Sequence, residues 1–237
     1  MRTSNLKWVL LAWVSRGLVW TAFAVPSVAE DKQDAKLILF LGDSLTAGYG
    51  IDPAQAFPAL IQQKIDRKGW PFEVLNAGLS GETSAGGLRR ISWMLQRNPG
   101  VLVLELGAND GLRGFPLELT KRNLQGIISR ARGRLPDLPI VLAGMMVPPN
   151  LGPEYTQRFQ ALYKELALDN GLSLIPFLLE GVAGQPELNL ADGIHPTPQG
   201  HQIIAETVWK TLEPVLESLL KNGDAQEKAG QQAGSRN

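Results

Sequence analysis

The chain has no cysteine among its 237 residues. That excludes a disulfide framework, a thiolate nucleophile, a thiolate-held metal and a lipid anchor on an N-terminal cysteine. Histidine is nearly as scarce. The two present, His195 and His201, are too few for a His-rich metal site, and no metal is expected. Nor is there an excess of charge of either sign. Lys plus Arg and Asp plus Glu both number 23, so the formal net charge is zero and gives no electrostatic footprint for a nucleic acid. Internal repeats are also lacking. What the chain has is apolar residues, 44% of the total, enough for a sizeable core in one α/β domain with tails.

The tails are legible at both ends. Arg2, Lys7 and Arg16 flank and interrupt apolar runs. The run from Leu18 to Val25 (LVWTAFAV) is followed by Pro26-Ser27-Val28-Ala29 and then the acidic Glu30-Asp31. A basic start, a short apolar core and small residues before a polar boundary read as a secretory signal over residues 1–29, cleaved near Ala29. Such a chain is exported to the periplasm or the exterior. The alternative is an uncleaved anchor, although Arg16 breaks the run that would approach a membrane span. At the other end, residues 221–237 are polar and Gly-rich with no apolar period, which predicts a disordered tail. The folded domain is therefore placed at residues 36–220.

Inside that domain, apolar runs alternate with helical periods. Lys36–Leu41, Phe72–Leu75, Val101–Leu106, Pro139–Ala143 and Leu172–Ile175 read as five strands. Between them, Pro58–Lys68, Leu88–Gln96, Leu117–Arg132 and Glu154–Asn170 read as helices. A last helix opens at Pro198, and Pro214 should kink or split it. Strands alternating with helices imply a parallel sheet covered on both faces, a three-layer α/β/α sandwich. Ligands in such sheets bind beyond the carboxyl ends of the strands, which is where the chemistry is expected.

Four short motifs fall there or in the loop before the last helix. Gly42-Asp43-Ser44-Leu45 follows the first strand and offers a serine hydroxyl as nucleophile. Its alternative reading is a helix cap. Asn76–Thr83 (NAGLSGET) follows the second strand, and Gly81 can leave its N–H open to a substrate oxygen. Ser80 or Thr83 would also cap the next helix, so its N–H groups point the same way. Gly107-Ala108-Asn109-Asp110 follows the third strand, where Asn109 is either a side-chain donor or a turn residue. Asp192-Gly193-Ile194-His195-Pro196 places a carboxylate three residues before a histidine. It can bond one imidazole nitrogen while the other faces a nucleophile. The alternative is a solvated loop with a capping Asp. His201 lies inside the last helix without an acidic residue at helical spacing before it, and reads as a surface or packing residue. The order Ser, Asp, His differs from both common serine-protease orders, and no GxSxG elbow is present.

With these motifs the chain resembles the SGNH, or GDSL-type, hydrolases, from Leu37 to about Leu219. It is close to their bacterial thioesterase I/lysophospholipase L1 and arylesterase branch. The resemblance is carried by LGDSLTAGYG (41–50), NAGLSGET (76–83), ELGANDGLRGF (105–115) and DGIHP (192–196). It implies a flavodoxin-like fold with a five-stranded parallel sheet, and no metal or organic cofactor. It implies Ser44 as nucleophile, Asp192 and His195 as its partners, and an oxyanion hole from Ser44, Gly81 and Asn109. Ala108 stands where the family often has glycine, which should change pocket shape and not mechanism. The partner implied is a small acyl ester or thioester. Leu112, Phe115, Met146, Val147, Pro148 and Ile194 are expected to form an apolar substrate rim, with some of them packing against neighbouring loops instead. That rim and the export signal favour a lysophospholipid or other lipid ester, met at a membrane surface. The alternatives are a carbohydrate O-deacetylase on the same scaffold and a non-catalytic binding module, although none of the motif residues is missing.

Overall fold

The computed structural model describes residues 35–234. The leader expected over residues 1–29, with its cleavage site, lies outside the described residues.

Five strands form one parallel sheet: β1 (Lys36–Gly42), β2 (Phe72–Gly78), β3 (Val101–Glu105), β4 (Ile140–Ala143) and β5 (Ser173–Ile175). Their order is β2-β1-β3-β4-β5. The central strands are apolar because both of their faces are covered. Ile38, Leu39, Phe40 and Leu41 of β1 are fully buried, as is every residue of β4 apart from a trace of Ile140. Strand β2 is longer than the four residues expected. It pairs with β1 along its whole length, from Lys36 opposite Phe72 to Gly42 opposite Gly78. Its outer positions are exposed because it is an edge strand, so no continuous apolar run marks its second half.

Crossovers that leave β1 toward β2 and β3 toward β4, in opposite directions along the sheet, put helices on both faces. Helices α2 (Phe57–Arg67) and α7 (Pro198–Gly234) pack together on one face. Helices α3 (Ser84–Met94), α5 (Leu117–Arg134) and α6 (Pro153–Asn170) form a packed row on the other. Two single-turn helices, α1 (Ser44–Ala47) and α4 (Ala108–Leu112), follow β1 and β3 directly. The strand order reverses at β1, so β1 and β3 diverge into opposite crossovers and leave a crevice beyond their carboxyl ends.

Three elements depart from expectation. Helix α3 begins at Ser84, four residues early, because Thr83 Oγ1 accepts the Gly86 N–H (3.3 Å) and caps it despite the Gly86-Gly87 pair that follows. Helix α7 is not split at Pro214. Val208, Leu212 and Leu216 are fully buried on both sides of the proline, and their packing outweighs a missing backbone bond. The polar segment 221–237, expected to be disordered, is helical as far as Gly234. Extending a helix already seated by its apolar face needs no new nucleus. That seating reaches Leu219 and Leu220.

Candidate active site

Strand β1 delivers its last residue, Gly42, against Glu105 at the end of β3. The approach is so close that a Cβ on Gly42 would lie 2.5 Å from Glu105 Oε2 and 2.0 Å from Thr46 Oγ1. Only glycine fits, and the chain turns at once into α1. Asp43 caps this turn by accepting the Leu45 N–H (3.0 Å), and Ser44 is its first residue. The capping role in this motif thus falls to Asp43, not to Ser44.

On the far side, Leu190–His195 closes on itself. The Leu190 N–H donates to the His195 carbonyl (2.7 Å) and the Gly193 N–H to the Leu190 carbonyl (2.8 Å). Asp192 Oδ1 accepts the Ile194 and His195 N–H groups (2.9 and 3.0 Å), and its Oδ2 lies 2.7 Å from His195 Nδ1. These donors hold the Asp192 carboxyl down at about 2, the His195 backbone bond contributing most. With Nδ1 protonated against a carboxylate, Nε2 is left to accept. It stands 3.0 Å from Ser44 Oγ. Tyr49 lays its exposed ring against the imidazole, with centroids 4.4 Å apart.

The three expected oxyanion donors follow β1, β2 and β3, Ser44 opening α1, Gly81 in the loop after β2 and Asn109 in α4. Among the described residues, no protein acceptor takes the N–H of Ser44 or of Gly81. Gly81 turns through the left-handed region (φ 79°), which a side chain would resist. The Asn109 amide is engaged. Its nitrogen donates to Asp43 Oδ2 (3.1 Å) and to the Glu82 carbonyl (3.0 Å). Both partners only accept, which fixes the nitrogen on that side and leaves a substrate oxygen to compete for its hydrogens.

Below the serine lies a feature that sequence reasoning missed. Glu105 is fully buried, its Oε2 accepting from Thr46 Oγ1 (2.7 Å) and the Asp43 N–H (3.0 Å), and its Oε1 has no partner among the described residues. Burial first, then the neighbouring Asp43 charge, pushes the Glu105 carboxyl well above its usual range. Burial also lifts Asp43, to about 6. The available signal was an acid inside the otherwise apolar VLVLEL, in register with a glycine.

His201 packs instead of reacting. It is buried, stacks on Phe57 and accepts the Phe57 N–H at Nδ1 (3.1 Å). Burial lowers it to about 4, so it stays neutral. Of the expected rim, Leu112, Met146, Pro148 and Ile194 are exposed and Phe115 is half-buried. Val147 departs from expectation. It packs in the core, where a Cβ on Gly111 would meet it at 2.4 Å. Tyr49 and Leu79, which sequence reasoning passed over, are exposed on the loops after β1 and β2.

Residues 40–203 match the GDSL-like lipase/acylhydrolase family. The chain belongs to that family. It is 40% identical over 183 residues to esterase TesA of Pseudomonas aeruginosa, spanning 77% of this chain and 90% of the relative. It is 37% identical to thioesterase 1/protease 1/lysophospholipase L1 of Escherichia coli, again over 183 residues, 77% of this chain and 86% of that one. The crystal structure of TesA superposes with a TM-score of 0.73 at 39% identity, covering 76% of this chain and 99% of the other. The expectation of a GDSL-type hydrolase with a five-stranded parallel sheet is borne out.

Proposed function

We propose that this chain hydrolyses carboxylic esters and thioesters of acyl chains through a covalent intermediate on Ser44. The observation that carries this reading is His195, whose two ring nitrogens bridge Ser44 Oγ and Asp192. In the first half-reaction Nε2 takes the hydroxyl proton while Oγ bonds to the carbonyl carbon. The carbonyl oxygen becomes an oxyanion facing the Ser44 and Gly81 N–H groups and the Asn109 amide. As it collapses, the C–O or C–S bond breaks, and the imidazolium gives its proton to the leaving alcohol or thiol. Water then repeats the sequence, and the acid leaves with Ser44 restored. Asp192 holds the imidazole tautomer and stabilises the imidazolium formed twice per cycle.

An acyl chain, not a sugar, suits the mouth of the site. Seven large apolar side chains are exposed among the described residues. Five of them, Tyr49, Leu79, Leu112, Met146 and Ile194, stand on the loops that carry the proposed triad and donors or on the loop after β4. Together with the leader at residues 1–29, this favours a lipid ester such as a lysophospholipid, met outside the cytoplasm. The expected domain plan, a cleaved leader before a hydrolase domain at 36–220, belongs to the same proposal.

A fluorophosphonate probe should label Ser44 and stop ester hydrolysis. Labelling should collapse in His195→Ala and persist in a folded His201 variant. An active Ser44→Ala protein, or labelling elsewhere, refutes the assignment. A screen of aryl esters of increasing acyl length should favour medium or long chains. Release of acetate from acetylated sugars with no cleavage of longer esters would instead select the deacetylase reading.

A further inference from the structure

Arg90 lies on α3, outside the motifs that define the site, with its side chain only 18% exposed. Its Nε donates across both oxygens of the Glu82 carboxylate (2.9 and 2.7 Å), and its Nη2 also meets that carboxylate. The same Nη2 donates to the Ala77 carbonyl (2.7 Å) and the Gly42 carbonyl (3.2 Å). Each acceptor borders a segment that carries an oxyanion donor. The Gly42 carbonyl ends β1, two residues before Ser44. Ala77 is the penultimate residue of β2, before the Gly81 loop, and Glu82 directly follows Gly81. The Glu82 carbonyl in turn receives the Asn109 amide (3.0 Å).

We propose that Arg90 is a positioning residue that sets the mutual spacing of the three oxyanion donors. The proposal rests on the reading of Ser44, Gly81 and Asn109 given above. Arg90 touches none of the reacting atoms. Its effect is geometric. Among the described residues the Ser44 and Gly81 N–H groups have no protein acceptor to hold them, so their placement depends on what anchors the backbone beside them. A planar guanidinium can meet a carboxylate and two carbonyls from fixed directions. A lysine ammonium is a single point and cannot replace that set. Oxyanion donors act on charge that develops only during reaction, so misplacing them slows turnover more than it weakens binding. A displacement of about 1 Å at a reacting centre can cost on the order of 10²-fold in rate.

The test is steady-state hydrolysis of a medium-chain p-nitrophenyl ester by the full chain and its variants, with fluorophosphonate titration to count functional sites. Arg90→Ala and Arg90→Lys should each lose on the order of 10²-fold in kcat per titrated site, with KM little changed. Guanidinium, far below denaturing concentration, should restore part of the rate of Arg90→Ala but not of Asn109→Ala, with potassium chloride as the ionic-strength control. The Arg90→Ala, Asn109→Ala double variant should lose much less than the product of the two single losses, because both act on one donor set. A near-normal kcat per titrated site in Arg90→Ala, or a loss that is additive with Asn109→Ala and insensitive to guanidinium, overturns the proposal. Should Arg90→Ala fail to fold, Glu82→Gln keeps the shape and the backbone carbonyl while weakening the clamp. It should lose about tenfold in kcat at unchanged KM, the scale of one charged hydrogen bond, and an unchanged kcat overturns the proposal equally. Ser44→Ala separates the two levels. If it is inactive while Arg90→Ala is normal, only the role of Arg90 falls; if it is active, Ser44 is not the nucleophile and the site reading on which the donor set rests falls.

Discussion

Replacing Glu105 by glutamine tests the proton held under the nucleophile. Glu105 and Asp43 are both buried, and they are linked through the Asp43 N–H and Glu105 Oε2 (3.0 Å). Two ionised carboxylates in that space would repel each other without water to screen them. Burial and the Asp43 charge raise Glu105 well above the usual carboxylate range, so near neutrality it is the member that keeps a proton. Asp43, lifted only to about 6, ionises first and then accepts from Leu45 and Asn109. A carboxyl raised on folding stabilises the fold fully below its unfolded pKa, and that stability is lost as pH rises through the folded value. While the folded chain holds one proton that the unfolded chain has released, stability falls by about 1.4 kcal/mol per pH unit.

Glutamine mimics the neutral acid and cannot titrate. Between pH 6 and 8 the stability of Glu105→Gln relative to the parent should therefore grow as pH rises, by at most about 1.4 kcal/mol per pH unit while the fold keeps the Glu105 proton. His201, at about 4, has finished titrating below this range, and Asp43 is present in both proteins. Urea unfolding at pH 6, 7 and 8 measures the difference, and ester hydrolysis should continue because an acceptor for Thr46 remains. A stability difference that does not change with pH would show that Glu105 is ionised in the fold despite its burial.

Two further predictions follow from the same geometry. Asn109→Ala should lower kcat on the order of 10²–10³-fold with KM nearly unchanged, as for loss of an oxyanion donor, while steady-state assays with a near-normal kcat and reduced thermal stability would make Asn109 purely structural. His201, depressed by burial to about 4, contributes stability that is complete above its unfolded value of 6.5 and is lost as pH falls toward 4. Because this costs the parent about 3 kcal/mol, His201→Gln should show a shallower acid loss in urea unfolding between pH 6.5 and 4.5, and an equal loss in both proteins refutes it.

What was legible in the sequence divides according to how local its cause is. Buried central strands such as Ile38–Leu41 and Val101–Leu104 announce themselves, because two covered faces demand an unbroken apolar run. The edge strand β2 carries half that demand, and its second half reads as a loop motif although Asn76-Ala77-Gly78 is paired to β1. The Asp192–His195 pair is three residues apart, so its chemistry can be read from spacing alone. The Glu105–Asp43 pair is 62 residues apart, and Arg90 meets Gly42 across 48. Neither spacing carries a local signal. Each needs the sheet register, which sets Gly42 beside both Gly78 and Glu105 and so brings the ends of β1, β2 and β3 to one point. The residues with a local signature are those proposed to meet the reacting atoms. Those without one hold that geometry in place, and their side chains depend on which backbone the fold puts beside them.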